Sequence, residues 1–205
     1  MTDSTPPTFP LPLSPLRIRL GLGPIKRLLG RLGDPQRQYR TVLVAGTNGK
    51  GSVSAMIAEI LTQAGARAGL YTSPHLLDFR ERIRIGHRII SRGEAAALIR
   101  DVRAQMAEDV TYFEFLTAAA LCHFARERVD WAVLEVGLGG RLDATNVVDP
   151  AVSVVSNIAL DHGDYLGRSL RAIAREKAGI IKAKGVCLTA ATQPLHPREP
   201  CERRP

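Results

Sequence analysis

Thr41-Val42-Leu43-Val44-Ala45, followed by Gly46-Thr47-Asn48-Gly49-Lys50-Gly51-Ser52, is the stretch on which the fold turns. The first five residues are an apolar, β-branched run of strand length bounded by glycine, and read as a strand buried on both faces. Beyond the glycine-rich turn, Val53, Met56, Ile57, Ile60, Leu61 and Ala64 recur at helical spacing as far as Gly65. That pattern predicts an amphipathic helix with this stripe as its apolar face. A strand, a glycine-rich turn and a helix in that order gather backbone N–H groups and a helix N-terminus around an anion, so the turn reads as a phosphate site. Lys50 adds a point charge for the outer phosphates and Ser52 a hydroxyl near a metal. The spacing is not that of the general phosphate loop. Val44 stands where its first glycine would be, and Gly51 separates Lys50 from Ser52.

Outward from this unit the same alternation continues. Strands are expected at Ala68 to Tyr71, Trp131 to Val136, Ala151 to Val155 and Val186 to Leu188. Helices are expected at Ile25 to Leu32, on the stripe Leu98, Ile99, Val102 and Met106, on the stripe Phe113, Leu116, Ala120 and Phe124, and at Leu170 to Lys177. Strands alternating with helices imply an α/β fold, a mostly parallel sheet with helices on both faces. One domain is expected over residues 16–190. Residues 1–15 are rich in Pro, Ser and Thr and are expected to be disordered. From Gln193 the chain loses periodicity and holds four prolines, directly after a strand where an α/β chain ordinarily runs into a helix. Residues 191–205 are therefore expected to be an irregular tail, of truncation or frameshift origin.

Composition sets the class. With 205 residues, 45% hydrophobic and 23% charged, the chain is not a disordered protein. No apolar run approaches the roughly 18 residues of a membrane-spanning helix, and Met1 to Pro15 lacks a secretory pattern. Cys122, Cys187 and Cys201 have neither disulfide nor zinc spacing, which points to a reducing, cytoplasmic setting. The net charge of +8 is concentrated: between Ser14 and Arg40 stand seven basic residues against the single acid Asp34. Such a segment is expected to be a solvated face or a wall attracting a small anionic substrate. No nucleic-acid module accompanies it, and a basic nucleic-acid-binding fragment stays as the alternative.

The glycine-rich string is more specific than a generic phosphate loop. It resembles that of the folylpolyglutamate synthase and dihydrofolate synthase family of Mur-type ATP-dependent ligases. Further stretches agree in order: Tyr71-Thr72-Ser73-Pro74-His75-Leu76, Glu81-Arg82-Ile83-Arg84, Thr111-Tyr112-Phe113-Glu114, Leu134 through Asn146, Leu160-Asp161-His162 and Glu176-Lys177-Ala178-Gly179-Ile180. The resemblance covers roughly residues 16–190 and implies the ATP-binding, phosphate-loop-type central domain of a Mur ligase. It also implies that the end of this domain and a smaller C-terminal ligase domain are missing.

What it implies about chemistry is an amide ligase. A carboxylate of dihydropteroate, or of a folate's terminal glutamate, attacks the γ-phosphate of ATP, and the amine of L-glutamate takes up the acyl phosphate. ATP would lie on Gly46, Thr47, Asn48, Gly49, Lys50, Gly51 and Ser52, and Mg²⁺ on Ser73, Glu135 and His162. Lys50, His162 and Lys177 would serve catalysis, Lys177 as a carbamate, and Thr111, Tyr112, Phe113, Glu114, Leu142, Asp143 and Ala144 would receive the pterin. A cytoplasmic monomer with small-molecule partners (dihydropteroate or reduced folate, L-glutamate and ATP) and no nucleic acid or membrane is expected. So is little or no ligase activity from this chain alone. Without the resemblance, a phosphate-loop ATPase or switch fragment would account for the first loop.

Overall fold

The strand Arg40–Ala45 (β1) is buried from its second residue to its last, because Thr41, Val42, Leu43, Val44 and Ala45 have neighbours on both edges and both faces. In the computed structural model, residues 13–14, 17–160, 163–183 and 185–190 are described. β1 pairs in parallel with Trp131–Glu135 (β5), Leu43 opposite Leu134, and with Val152–Val155 (β6), Val44 opposite Val154. Ala68–Tyr71 (β2) lies parallel on the far side of β5, and Val186–Thr189 (β7) parallel on the far side of β6. Two short strands, Ile83–Ile85 (β3) and Arg88–Ile89 (β4), complete the sheet as an antiparallel hairpin against β2, giving the order β4-β3-β2-β5-β1-β6-β7. This hairpin is absent from the sequence reading. Its signal is Ile83-Arg84-Ile85-Gly86-His87-Arg88-Ile89, an alternation closed by a two-residue turn with Gly86 at φ +55°.

The helices are Gly23–Arg31 (α1), Lys50–Gln63 (α2), Arg92–Ala104 (α3), Tyr112–Arg126 (α4), Gly163–Leu166 (α5) and Leu170–Ala178 (α6). The expected α/β architecture is thus present, with the expected strands within a residue or two of their ends. Ser91 with Glu94, and Thr111 with Glu114, form capping boxes that start α3 and α4. Among the described residues, no helix is long and apolar enough to cross a membrane.

Connection handedness decides which face each helix covers. The chain leaves β1 in one direction through α2 to β2, and returns through α3 and α4 to β5, between them. Right-handed crossovers put those connections on opposite faces. The larger core therefore gathers α1, α3 and α4 around Leu43, Leu134, Phe115, Leu121 and Phe124. On the other face α2 lays Val53, Ile57, Ala58 and Leu61 over Val42, Val44, Leu70 and Val133. This corrects the apolar stripe expected of α2: Met56 and Ile60 are 63% and 68% exposed. The stripe is wider than the contact, because one helix on a sheet buries only the arc that points down. Toward β6 and β7 that face has no further helix among the described residues, and Val186 and Leu188 are 56% and 58% exposed.

Of residues 1–15 only Leu13 and Ser14 are described, and Leu13 is half-buried against the core. The expected disorder of that stretch otherwise lies outside the described residues, as do the irregular tail 191–205 and His162. The basic segment is largely solvated, with Arg17, Lys26, Arg27, Arg31, Arg37 and Arg40 exposed, but three of its seven cations are matched. Arg17 pairs with Asp109, Arg19 with Glu114 at 2.6 Å, and Arg27 makes two bonds to Glu108 at 2.6 and 2.5 Å. These acids lie about 80 to 95 positions away in sequence, which is why local counting gave an unmatched positive run.

Candidate active site

β1 runs into the glycine turn beside β6, where the crossover from β1 leaves toward β2 and that from β6 leaves toward β7 on the other side, the switch point at which open α/β sheets bind ligands. Gly46 has φ +151°, and a Cβ there would sit 1.9 Å from Ser156 Oγ. Gly49, at φ +77°, caps α2 without any side-chain hydrogen bond. The turn is pinned to the chain after β6. Thr47 N–H donates to Asn157 O (3.0 Å), Asn48 N–H to Asn157 Oδ1 (2.8 Å) and Ser156 Oγ to Asn48 O (2.7 Å). Thr47 Oγ1 both donates to Ala159 O and accepts from its N–H. The N–H groups of Thr47 and Asn48 are therefore occupied, and the anion site expected from the sequence narrows to those of Gly49, Lys50, Gly51 and Ser52, which have no acceptor among the described residues. Lys50 Nζ lies over the turn, donating to Thr47 O at 3.0 Å, and Ser52 is exposed.

Three other chain segments reach this point. Glu135, the last residue of β5, is buried and accepts from Ser73 N–H at 2.9 Å. Burial raises its pKa above the ordinary carboxylate value, and the Ser73 N–H and the charges of Lys50 and Arg82 only partly oppose that. A methyl placed on Gly51 would lie 3.5 Å from both of its oxygens, so glycine there lets α2 approach the carboxylate. Lys177, on α6 and 2% exposed, donates from Nζ to Gly46 O at 2.8 Å. Its neighbour Glu176 is not its partner, but pairs with Arg141 at 2.7 Å. Among the described residues no three His, Cys, Asp or Glu side chains gather as a metal centre.

The pterin candidates divide by role. Thr111 and Glu114 close the N-terminus of α4, Glu114 accepting from Thr111 N–H and Oγ1 at 2.8 Å each. Tyr112 is buried beneath the Arg82 guanidinium, 5.6 Å from the ring centre. Phe113 is half-buried, its ring 6.1 Å from that of Tyr71 and pressed on Gly137, where a Cβ would come within 2.6 Å. Asp143 is buried and its carboxylate accepts from Leu138 N–H, Thr145 N–H and Thr145 Oγ1. It shapes its own loop, with Leu142 half-buried and Ala144 buried beside it. Sequence reasoning passed over Arg82, which is buried and donates from Nε to His75 Nδ1 at 2.8 Å. The quoted Glu81-Arg82 pair was its only signal.

A sequence profile described as the Mur ligase middle domain matches residues 44–194. The chain belongs to that family. The dihydrofolate synthase/folylpolyglutamate synthase of Bacillus subtilis is 43% identical over 185 residues, covering 86% of this chain and 43% of that protein. The folylpolyglutamate synthase of Lacticaseibacillus casei is 48% identical, covering 77% of this chain and 39% of its own length. Among solved structures, Escherichia coli FolC in complex with DHPP and ADP superimposes with a TM-score of 0.83 at 40% identity, over 87% of this chain and 43% of that one. A bifunctional folylpolyglutamate synthase/dihydrofolate synthase with Mn, AMPPNP and L-glutamate bound gives 0.82 at 42% identity, over 88% and 45%. This Mur ligase middle domain thus spans less than half the length of the curated relatives it matches.

Proposed function

We propose that this chain is the nucleotide-binding part of an ATP-dependent amide ligase that joins L-glutamate to dihydropteroate, to a folylpolyglutamate, or to both. One observation carries the reading: the N–H groups of Gly49 to Ser52, which have no acceptor among the described residues, the Lys50 ammonium and the buried Glu135 carboxylate meet at the end of β1. The names and bound molecules of the relatives supply the substrate class.

The residues fit a divalent cation. Glu135 is a desolvated carboxylate with one hydrogen bond from Ser73, beside a loop built for phosphate, and Mg²⁺ is held by one or two carboxylates together with phosphate oxygens. Glu135, Ser73 and His162 would hold it. Bound there, it would neutralise phosphate charge. The chain's own residues do the rest. The α2 N-terminus and Lys50 receive the β- and γ-phosphates, so negative charge building on the transferred phosphoryl group is met by fixed donors. The acceptor carboxylate attacks the γ-phosphorus, the bond to the ADP oxygen breaks, and the glutamate amine displaces phosphate from the acyl phosphate. No protein nucleophile is needed. Phe113, half-buried and backed by the buried ring of Tyr71, offers an aromatic face to a flat heterocycle beside this point. Lys177, buried at Gly46, is proposed to carry the carbamate, and electron density at its Nζ in crystals grown with nucleotide and bicarbonate decides that.

The test is direct titration of the chain with MgADP by calorimetry, with Lys50→Ala alongside. The wild-type chain is expected to bind, the variant to bind at least tenfold more weakly, the scale of a lost charge-assisted contact, and glutamate-dependent ADP release to stay at background. Equal affinity in the two proteins would remove the phosphate site from the reading.

A further inference from the structure

The α4 capping box contains a buried charge that a cap does not require. Glu114 is 2% exposed, and Arg19 is the one cation within ion-pair distance of it among the described residues. A buried carboxylate stripped of its partner is strongly unfavourable, so the two groups are bound to one another's position. The pair is also not optimised as a stabilising contact: Glu114 Oε1 and Arg19 Nε are both buried without a hydrogen bond. Arg19 belongs to a short strap that touches both segments assigned above to the pterin. Its Nη2 donates to Glu114 Oε2 at 2.6 Å and to Asp109 O at 3.0 Å, and two residues on, Gly21 N–H donates to Leu142 O at 3.2 Å. Between those anchors lie Phe113, next to Glu114, and Gly137, against which its ring is pressed.

We propose that Arg19 is a positioning residue of the pterin pocket: through Glu114 it fixes the start of α4 and hence Phe113, while Gly21 on the same strap holds the Leu142–Ala144 loop opposite. The inference rests on the pterin reading of that pocket. Its consequence is selective. Loss of Arg19 loosens the pterin side and leaves the phosphate loop, which is pinned separately by Ser156 to Ala159, as it was.

The experiment is titration of the 205-residue chain with dihydropteroate and with MgADP, for wild type, Arg19→Met, Arg19→Lys, Glu114→Gln and the Arg19→Met/Glu114→Gln pair, with amide hydrogen exchange on each. Arg19→Met is expected to weaken dihydropteroate about tenfold, the scale of a broken charged contact, with MgADP affinity unchanged. Arg19→Lys should stay within about threefold of wild type. On Glu114→Gln, where no buried charge needs neutralising, adding Arg19→Met should cost under about threefold. An equal loss on both backgrounds, a parallel loss of MgADP affinity, or failure of Arg19→Lys to recover would overturn the inference, the last deciding if Arg19→Met does not fold. If wild type itself takes no dihydropteroate, the pterin reading falls. Exchange then judges the strap alone: amides of Thr111 to Phe113 and of Leu138 to Asp143 should lose protection together in Arg19→Met, and unchanged protection refutes it.

Discussion

Gly46→Ala tests the geometry of the phosphate turn at one methyl group. Two costs add. Gly46 sits at φ +151°, where an L side chain is strained by about 1–3 kcal/mol. The new Cβ would also lie 1.9 Å from Ser156 Oγ, 3.1 Å from its Cβ and 3.3 Å from Asn157 N. Ser156 can rotate away only by surrendering its 2.7 Å bond to Asn48 O, a further loss of about 1 kcal/mol. The total of about 2–4 kcal/mol is a large share of the roughly 5–15 kcal/mol that holds a domain together. Urea unfolding at equilibrium should show a lower midpoint with an unchanged slope. Calorimetry should show MgADP affinity reduced more than the lost stability explains, because Gly46 O is also the acceptor of the buried Lys177. The double variant Gly46→Ala/Ser156→Ala separates the two costs. It removes the hydroxyl clash and the bond to Asn48 O together while keeping the backbone strain. Ser156→Ala should therefore cost about 1 kcal/mol in the wild-type background and close to nothing on top of Gly46→Ala, where that bond is already lost. A Gly46→Ala protein as stable as wild type, with undiminished nucleotide affinity, would show that the turn is not held as described.

Glu135→Gln should trade stability against function. Burial raises the Glu135 pKa, so the folded state binds a proton more readily than the unfolded one. Stability from this group therefore falls as pH rises from the unfolded value toward the folded one, and at neutral pH the buried charge is a net cost. The variant should melt above wild type at pH 7, with the gap closing as the medium is acidified through the carboxylate range, and should lose Mg²⁺-dependent nucleotide affinity; a variant that melts lower at pH 7 would contradict this. On α2, Ile60→Lys should change stability by less than about 0.5 kcal/mol, whereas Ile57→Ala, on the sheet side, should cost about 1–2 kcal/mol in the same urea measurement. Exchange of those two outcomes would mean the helix is rotated on its sheet.

The parts of the fold legible in sequence are those whose cause is local. β1, β2 and β5 are apolar runs because they are buried on both faces, and β6, buried on one face and half-buried on the other, is apolar enough to be visible in the same way without its neighbours. The glycine turn is legible because Gly46 and Gly49 are demanded by their own backbone angles. What escaped is what depends on a partner far along the chain. The width of the α2 contact depends on which strands lie beneath it, so Met56 and Ile60 look the same in sequence as Ile57 and Leu61. The basic segment reads as unmatched charge because Glu108, Asp109 and Glu114 reach it only through the packing of α1 against α4. Thr111 and Glu114 show the same thing within a single motif. Spacing identifies the capping box, which is local, and the arginine that neutralises it comes from a segment more than 90 positions earlier. The proposed site follows this division: the proposed phosphate half is written in twelve consecutive residues, and the proposed substrate half is assembled from four separate segments that only the fold brings together.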